Sequence, residues 1–160
     1  MPHDEGDGMS DLKPFRLRRG EGESVQFYDQ MYLLKATAAA TGGAFGLNEV
    51  TTPLGSGPRL HVHTREDEAF YVLEGRLEVT VGNERFEADE GTFVFAPRDT
   101  PHRYEATSPI ARQLVFVFPG GWETFFRDAA RMLADGEPGA AAVARAGIER
   151  GVRSLDPPRD

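Results

Sequence analysis

Apolar and polar residues alternate with a period of two along much of the chain between residues 23 and 120. In the run from Arg76 to Val81, the side chains of Leu77, Val79 and Val81 fall on one face. Strict alternation of this kind predicts a half-buried β-strand. Comparable runs separated by turn residues predict further strands at 25–29, 32–37, 45–51, 69–73, 84–88, 92–95 and 114–118. Eight or more short strands at this spacing predict an all-β fold, and their number suits a jelly-roll barrel.

The period changes after residue 119. Apolar residues then recur at helical spacing, at Trp122, Phe125, Phe126, Ala129 and Leu133. This stripe predicts a helix that packs outside the barrel and ends at Gly136, followed by a second helix over 139–148. We therefore predict a mobile leader at 1–22, which has almost nothing to bury, a barrel at 23–120, C-terminal helices at 121–150 and a frayed tail at 151–160.

Composition narrows the classes of function. The chain has no cysteine, which excludes disulfides and thiolate metal sites and leaves histidine and carboxylate as metal ligands. A net charge of −8 without a clustered basic face argues against a nucleic-acid partner. No stretch reaches the ~20 apolar residues of a membrane span. The acidic N-terminus lacks the apolar region of a signal peptide, so we expect a cytoplasmic protein with no membrane partner.

Three histidines and one glutamate carry the candidate chemistry. His61 and His63 are two residues apart in a predicted strand, so both imidazoles leave the same face. Glu68 begins the next strand, and His102 follows a later one. Adjacent antiparallel strands lie about 4.8 Å apart, so the four side chains can converge on one ion. Three nitrogens and one carboxylate oxygen suit one divalent first-row metal ion: Fe, Mn, Co, Ni, Cu or Zn. An ion held this way keeps open positions for a substrate.

The spacing of these residues resembles the two sequence motifs of the cupin superfamily. The first motif reads GSGPRLHVHTREDEAFYVLEG here, with Gly, His-x-His, Glu and Gly all in register. The second reads GTFVFAPRDTPHRYEA, in which Asp99 replaces an inner Gly and Ala106 replaces a final Asn. Aspartate tolerates the left-handed backbone that Gly usually supplies, so the turn should survive. Ala106 predicts a roomier and more apolar pocket.

The chain as a whole resembles the small single-domain bacterial cupins of the quercetin 2,3-dioxygenase-like group. That resemblance implies a metal-dependent dioxygenase that cleaves a flavonol-like, enolic or phenolic substrate with O2. Glu68 would be both a metal ligand and the catalytic base. Phe70 and Val72 share the strand parity of Glu68, and Tyr104 shares that of His102, so we expect these three to contact an aromatic or enolic small molecule. The resemblance also implies a homodimer in which residues 25–37 pair across a subunit edge.

Two other functions stay open at this point, because one cupin scaffold supports many activities. The first is a metal-dependent polyketide cyclase or isomerase, in which the metal acts only as a Lewis acid. The second is a non-catalytic small-molecule-binding cupin. Oxygen uptake with a flavonol or related enol separates the dioxygenase from both.

Overall fold

A computed structural model describes residues 11–136 and 139–156, in which β-strands predominate. The strands are β1 (Glu23–Phe27), β2 (Gln30–Ala36), β3 (Gly46–Pro53), β4 (His61–His63), β5 (Asp67–Glu74), β6 (Arg76–Val81), β7 (Glu84–Asp89), β8 (Phe93–Ala96), β9 (His102–Ala106), β10 (Ile110–Phe118) and β11 (Val152–Ser154). The helices are α1 (Ala38–Thr41), α2 (Phe125–Ala134) and α3 (Gly139–Glu149), and a 3-10 turn (Trp122–Thr124) precedes α2. None of these helices is long and apolar enough to cross a membrane.

The strands form two antiparallel sheets that enclose one core. The six-stranded sheet has the order β1-β2-β3-β10-β5-β8, and the five-stranded sheet has the order β11-β4-β9-β6-β7. The alternating residues of both sheets meet between them, and Val50, Phe70, Leu77 and Val79 are almost completely buried there. The predicted all-β jelly-roll barrel is confirmed.

Two tight turns have the backbone conformation that their residue types predict. Gly82 and Asn83 connect β6 to β7, whose ends pair Val81 with Glu84, and Gly82 has a positive φ of 58°. Such a two-residue hairpin turn requires this left-handed backbone. Asp99 also has a positive φ, 63°, at the position where the resembling family has glycine. The turn before β9 therefore keeps its conformation despite the substitution.

The C-terminal helix packs against the barrel as predicted. Trp122 and Phe125 are both buried and stack on one another with ring centroids 4.1 Å apart. α2 contacts β1, and the ring of Phe126 stacks on Tyr32 of β2 at 3.7 Å. Gly136, with a φ of 82°, follows the last turn of α2 and ends it. The aromatic stripe is therefore a packing face.

The segment 151–160, predicted as a frayed tail, contains a strand instead. Val152–Ser154 form β11 and pair with β4 along its whole length. Backbone hydrogen bonds extend this pairing at both ends, from Thr64 N to the Gly151 oxygen and from Leu155 N to the Leu60 oxygen, each 2.8 Å long. The free edge of β4 explains the difference, since its unpaired N–H and C=O groups need partners. Of the predicted leader and tail, residues 1–10 and 157–160 lie outside the described residues.

Candidate metal centre

The two sheets bring the four predicted ligand residues together inside the barrel. His61 and His63 lie on β4, and His61 pairs directly with His102 on the neighbouring β9. Glu68 reaches them from β5 in the opposite sheet. One ligand atom from each residue lies within 4.8 Å of the others. The Glu68 Oε2 atom lies 2.7 Å from His102 Nε2, 3.4 Å from His63 Nε2 and 3.8 Å from His61 Nε2.

The outer nitrogen of each histidine is held by an acceptor. The three Nδ1 atoms bond to the Arg59 carbonyl at 2.7 Å (His61), Glu66 Oε2 at 3.2 Å (His63) and the Thr100 carbonyl at 2.9 Å (His102). Because an acceptor requires a proton on Nδ1, Nε2 is the nitrogen of each imidazole that faces Glu68, and it carries a lone pair whenever that imidazole is neutral. This is the tautomer that a metal-binding histidine needs.

The three histidine Nε2 lone pairs and the Glu68 carboxylate together require a positive charge between them. The His63 Nε2 atom is buried and has no hydrogen-bond partner in the described part of the chain. Three lone pairs beside a buried carboxylate repel one another unless a proton or a cation lies between them. The donor set therefore fits a divalent metal ion, and a transition metal suits its nitrogens.

The ionisation of the cluster follows from burial and from this mutual contact. Burial alone would raise the pKa of Glu68, but the hydrogen bond from His102 at 2.7 Å and the neighbouring His61 and His63 hold it well below its ordinary value. Burial lowers the pKa of His61. Burial also acts to lower the pKa of His102, yet its hydrogen bond to Glu68 outweighs this effect and raises it. The carboxylate is therefore ionised, and His102 carries the proton most readily when no metal is bound.

Two contacts to His63 were not predicted from the sequence. Glu66 lies in the polar corner between β4 and β5 and is almost completely buried. Its carboxylate accepts a hydrogen bond from His63 Nδ1–H. The Trp122 ring packs edge-on against the His63 ring, with centroids 5.0 Å apart. Glu66 could have been found from its spacing, three residues after His63. The contact of Trp122 could not have been found in this way, because the helical spacing predicts which face is packed but not which residue it packs against.

The three predicted substrate contacts lie on β5 and β9, the strands that also carry Glu68 and His102. The Phe70 ring lies 6.2 Å from the His102 ring, and the Tyr104 ring lies 5.5 Å from Phe70. Val72 is buried in the core four residues beyond Glu68, about 13 Å along the strand at ~3.3 Å per residue. Phe70 therefore adjoins the candidate metal centre, and Tyr104 adjoins Phe70.

A cluster of buried polar groups lies near Tyr104, within a barrel core that is otherwise mainly apolar. Tyr104 and Thr52 both donate to Gln30 Oε1, at 3.0 and 3.1 Å, and Gln113 Nε2 donates to Thr52 at 3.3 Å. All four side chains are buried. Burial and the charge of Glu68 raise the pKa of Tyr104, so its hydroxyl stays a donor. Polar residues at inward positions of β2, β3 and β10 were the available signal for this cluster.

Two characterised relatives share about two thirds of this chain. It is 34% identical over 107 residues to the quercetin 2,3-dioxygenase of Bacillus subtilis (strain 168), covering 67% of this chain and 32% of that protein. It is 32% identical over 112 residues to the polyketide synthase CurC of Streptomyces cyaneus, covering 68% of this chain and 64% of that protein. The chain thus spans about a third of the length of the first relative and less than two thirds of the second.

Solved structures and the domain family agree with the fold. The polyketide cyclase RemF of Streptomyces resistomycificus superimposes with a TM-score of 0.58 at 19% identity, over 66% of this chain and 80% of that chain. Residues 48–118, which contain all four candidate ligands, match the Cupin domain family. By this match, its two-sheet barrel and its paired motifs, the chain contains a cupin domain at residues 48–118.

Proposed function

We propose that this chain is a metal-dependent dioxygenase that oxidises a flavonol or a related enol or phenol with O2. The observation that carries the proposal is the Glu68 carboxylate, buried within 3.8 Å of three histidine Nε2 atoms. The similarity to quercetin 2,3-dioxygenase supports the class of substrate. Because the chain covers only part of that relative, the substrate itself is part of the proposal.

The four residues would hold the ion through the Nε2 atoms of His61, His63 and His102 and through Glu68. When bound, a divalent ion of this kind supplies a Lewis acid for the substrate oxygen and a path for electrons between substrate and O2. Glu68 is the base in this proposal and takes the proton of the substrate hydroxyl. A carboxylate has two acceptor oxygens, so one can face the histidines while the other receives the proton.

The remaining predicted contacts would orient the substrate. Phe70 offers an aromatic wall next to His102. The Tyr104 hydroxyl, fixed by Gln30, limits how deeply a ring can enter. Val72 lies farther along the same strand and would contact only a substrate that extends past Phe70.

The test combines metal analysis with oxygen uptake. We expect the purified protein to contain close to one transition-metal ion per chain and to consume O2 with quercetin or another enolic phenol. Glu68→Gln keeps the shape of the side chain and an oxygen donor, so it should keep much of the metal and lose most of the turnover. Glu87→Gln changes an exposed carboxylate on β7 and is the matched control. Normal turnover by metal-loaded Glu68→Gln would refute the role of Glu68, and no O2 uptake across phenolic substrates would refute the dioxygenase.

The second candidate is a metal-dependent cyclase of a polyketide substrate, favoured by the 32% identity with CurC. The same base would remove a proton from a carbon or oxygen of the substrate, without consuming O2. Product formation under anaerobic conditions, with the metal bound, would select this function over the dioxygenase.

A further inference from the structure

Two buried amide side chains on the inner wall of the six-stranded sheet each have an oxygen without a partner. Within the part of the chain that the structure describes, Asn48 Oδ1 and Gln113 Oε1 are buried and accept no hydrogen bond. Asn48 is 3% exposed and Gln113 is 0% exposed. Most buried polar atoms in proteins are hydrogen-bonded, so two unpaired oxygens on one inner wall need an explanation. His63 Nε2 is also unpaired, but the candidate metal centre accounts for it.

The hydrogen bonds around Gln113 leave an acceptor free rather than a donor. Gln30 Oε1 accepts the hydroxyl protons of Tyr104 and Thr52. Thr52 Oγ1 has thereby used its only proton, so it accepts the N–H of Gln113 at 3.3 Å. The amide nitrogen of Gln113 therefore faces Thr52, and its oxygen is the atom without a partner.

The free atom of Asn48 is an acceptor for a simpler reason. Its amide nitrogen donates to the backbone carbonyl of Glu123 at 3.3 Å. A carbonyl oxygen can only accept, so the nitrogen of Asn48 has to face Glu123 and the oxygen has to face elsewhere. The free oxygens of Asn48 and Gln113 therefore suit a ligand that donates, such as a hydroxyl group, and not a ligand carboxylate.

The strand register places the two acceptors in successive rows beyond the candidate metal centre. Across β10, Asn48 shares a row with Phe70, which is two residues along β5 from Glu68. Gln113 lies opposite Val72, four residues along β5 from Glu68. At ~3.3 Å per residue, these rows are about 7 and about 13 Å from the row of Glu68. A molecule that extends from the ion past Phe70 would therefore meet Asn48 first and Gln113 second.

We infer that Asn48 and Gln113 form a hydroxyl-binding subsite for the part of the substrate that lies away from the metal. The inference rests on the proposed function, because it places the metal-binding oxygen of the substrate at the candidate metal centre. It narrows the substrate class to aromatic compounds of two or more rings with hydroxyl groups distant from that oxygen. A single phenol ring is too short to reach from Glu68 to the row of Gln113.

The test is equilibrium binding of two flavonols that differ only in their pendant ring. Quercetin has hydroxyl groups on this ring, and galangin has none. The chain has one tryptophan, Trp122, which packs on His63, so quenching of its fluorescence reports binding near the metal centre. Titrating Zn(II)-loaded protein without O2 keeps both flavonols intact. We expect the wild type to bind quercetin about fivefold more tightly than galangin, which is the effect of one net hydrogen bond.

Variants of the inner wall assign this preference to the two amides. Gln113→Leu removes one acceptor and should reduce the preference for quercetin to less than about twofold, while Asn48→Leu should also reduce it. Val50→Ala is the matched control, because Val50 is fully buried directly opposite Gln113 and has no polar atom to lose. It should weaken both flavonols alike and keep their ratio. A wild type that binds both flavonols equally, or a folded Gln113→Leu that keeps the full preference, would overturn the inference.

Melting temperatures separate a binding role of Gln113 from a structural one. In the absence of a ligand, the unpaired oxygen of Gln113 is unfavourable, so Gln113→Leu should melt at or above the wild-type temperature. Quercetin should then raise the melting temperature of the wild type more than that of the variant, because it binds the wild type more tightly. If Gln113→Leu melts well below the wild type and responds equally to quercetin, Gln113 supports the fold only and the subsite is refuted.

Failure of the subsite and failure of the proposed function give different results. Binding with the expected preference for quercetin but without O2 uptake would refute the dioxygenase and support the subsite. O2 uptake together with equal binding of quercetin and galangin would support the dioxygenase and refute the subsite. Protein that binds neither flavonol would refute both the subsite and the flavonol substrate.

Discussion

Glu66 offers the sharpest test of how the metal centre is held. It is the only carboxylate among the three Nδ1 partners, since His61 and His102 are anchored by backbone carbonyls that no side-chain substitution removes. The His63 ring is 0% exposed and Glu66 is 6% exposed, so water cannot easily replace the lost partner. Substituting Glu66 therefore perturbs one ligand and leaves the ligand set intact.

The expected loss of metal affinity depends on whether the new side chain keeps an acceptor oxygen for His63. Changes at partners that orient metal ligands cost about 10- to 100-fold in metal affinity. Glu66→Gln keeps an acceptor oxygen but loses the negative charge, so we expect a loss near tenfold. Glu66→Ala also leaves the buried Nδ1–H unpaired, which adds about 1–3 kcal/mol to the loss of folding stability. We expect its metal affinity to fall by about 100-fold.

The assay is competition between the protein and a chromophoric chelator for Co(II) or Zn(II). The absorption spectrum of the Co(II) form reports the coordination geometry, which a merely destabilised protein would not change. Glu90→Ala, an exposed carboxylate after β7, is the control. If folded Glu66→Ala binds the metal with wild-type affinity and spectrum, Glu66 does not position His63 and the reasoning is refuted.

Four further predictions follow from the described contacts. His61→Ala should lower metal content and melting temperature together, because an ion bound only to the native state stabilises it. Acid should release the metal before the fold is lost. Burial acts to lower the pKa of His102, but its hydrogen bond to Glu68 and the charge of that carboxylate raise it, so protons should compete for its Nε2 at a higher pH than for an ordinary imidazole. Metal content and circular dichroism after dialysis at stepped pH would show this. Trp122→Ala should destabilise the protein by about 3–5 kcal/mol in chemical denaturation, since the indole is buried against His63 and the helix. Hydrogen bonds from Arg98 hold the pKa of Asp67 below its usual value, so this pair stabilises the fold above about pH 4. The difference in melting temperature between wild type and Arg98→Ala should therefore shrink as the pH falls through the lowered pKa of Asp67.

Short-range patterns predicted most of the barrel. Alternation places Leu77, Val79 and Val81 inside, and the turn residues at Gly82 and Asp99 adopt the left-handed backbone that their types favour. The shared face of His61 and His63 is likewise a local property of one strand. The meeting of these histidines with Glu68 is not local, because it joins strands of opposite sheets rather than the adjacent strands predicted from the sequence.

Contacts between segments that are distant in the chain could not be predicted from the sequence. The three residues of β11 have no alternating pattern, and they form a strand because β4 has a free edge beside them. The buried hydroxyl and amide groups of Tyr104, Gln30 and Gln113 find one another across strands. The sequence shows that each of these residues has an inward polar side chain. Its hydrogen-bond partner depends on strand register and on the fold of the whole barrel, which the sequence pattern does not give.

The candidate metal centre and its supporting contacts come from two parts of the chain. All four candidate ligands lie within the matched cupin region at residues 48–118. Trp122, which packs on His63, and β11, which completes the sheet beside the two β4 ligands, lie after that region. Since the residues that support metal ligands set how rigidly those ligands are held, we expect changes at Trp122 or β11 to alter metal affinity without changing the ligand set.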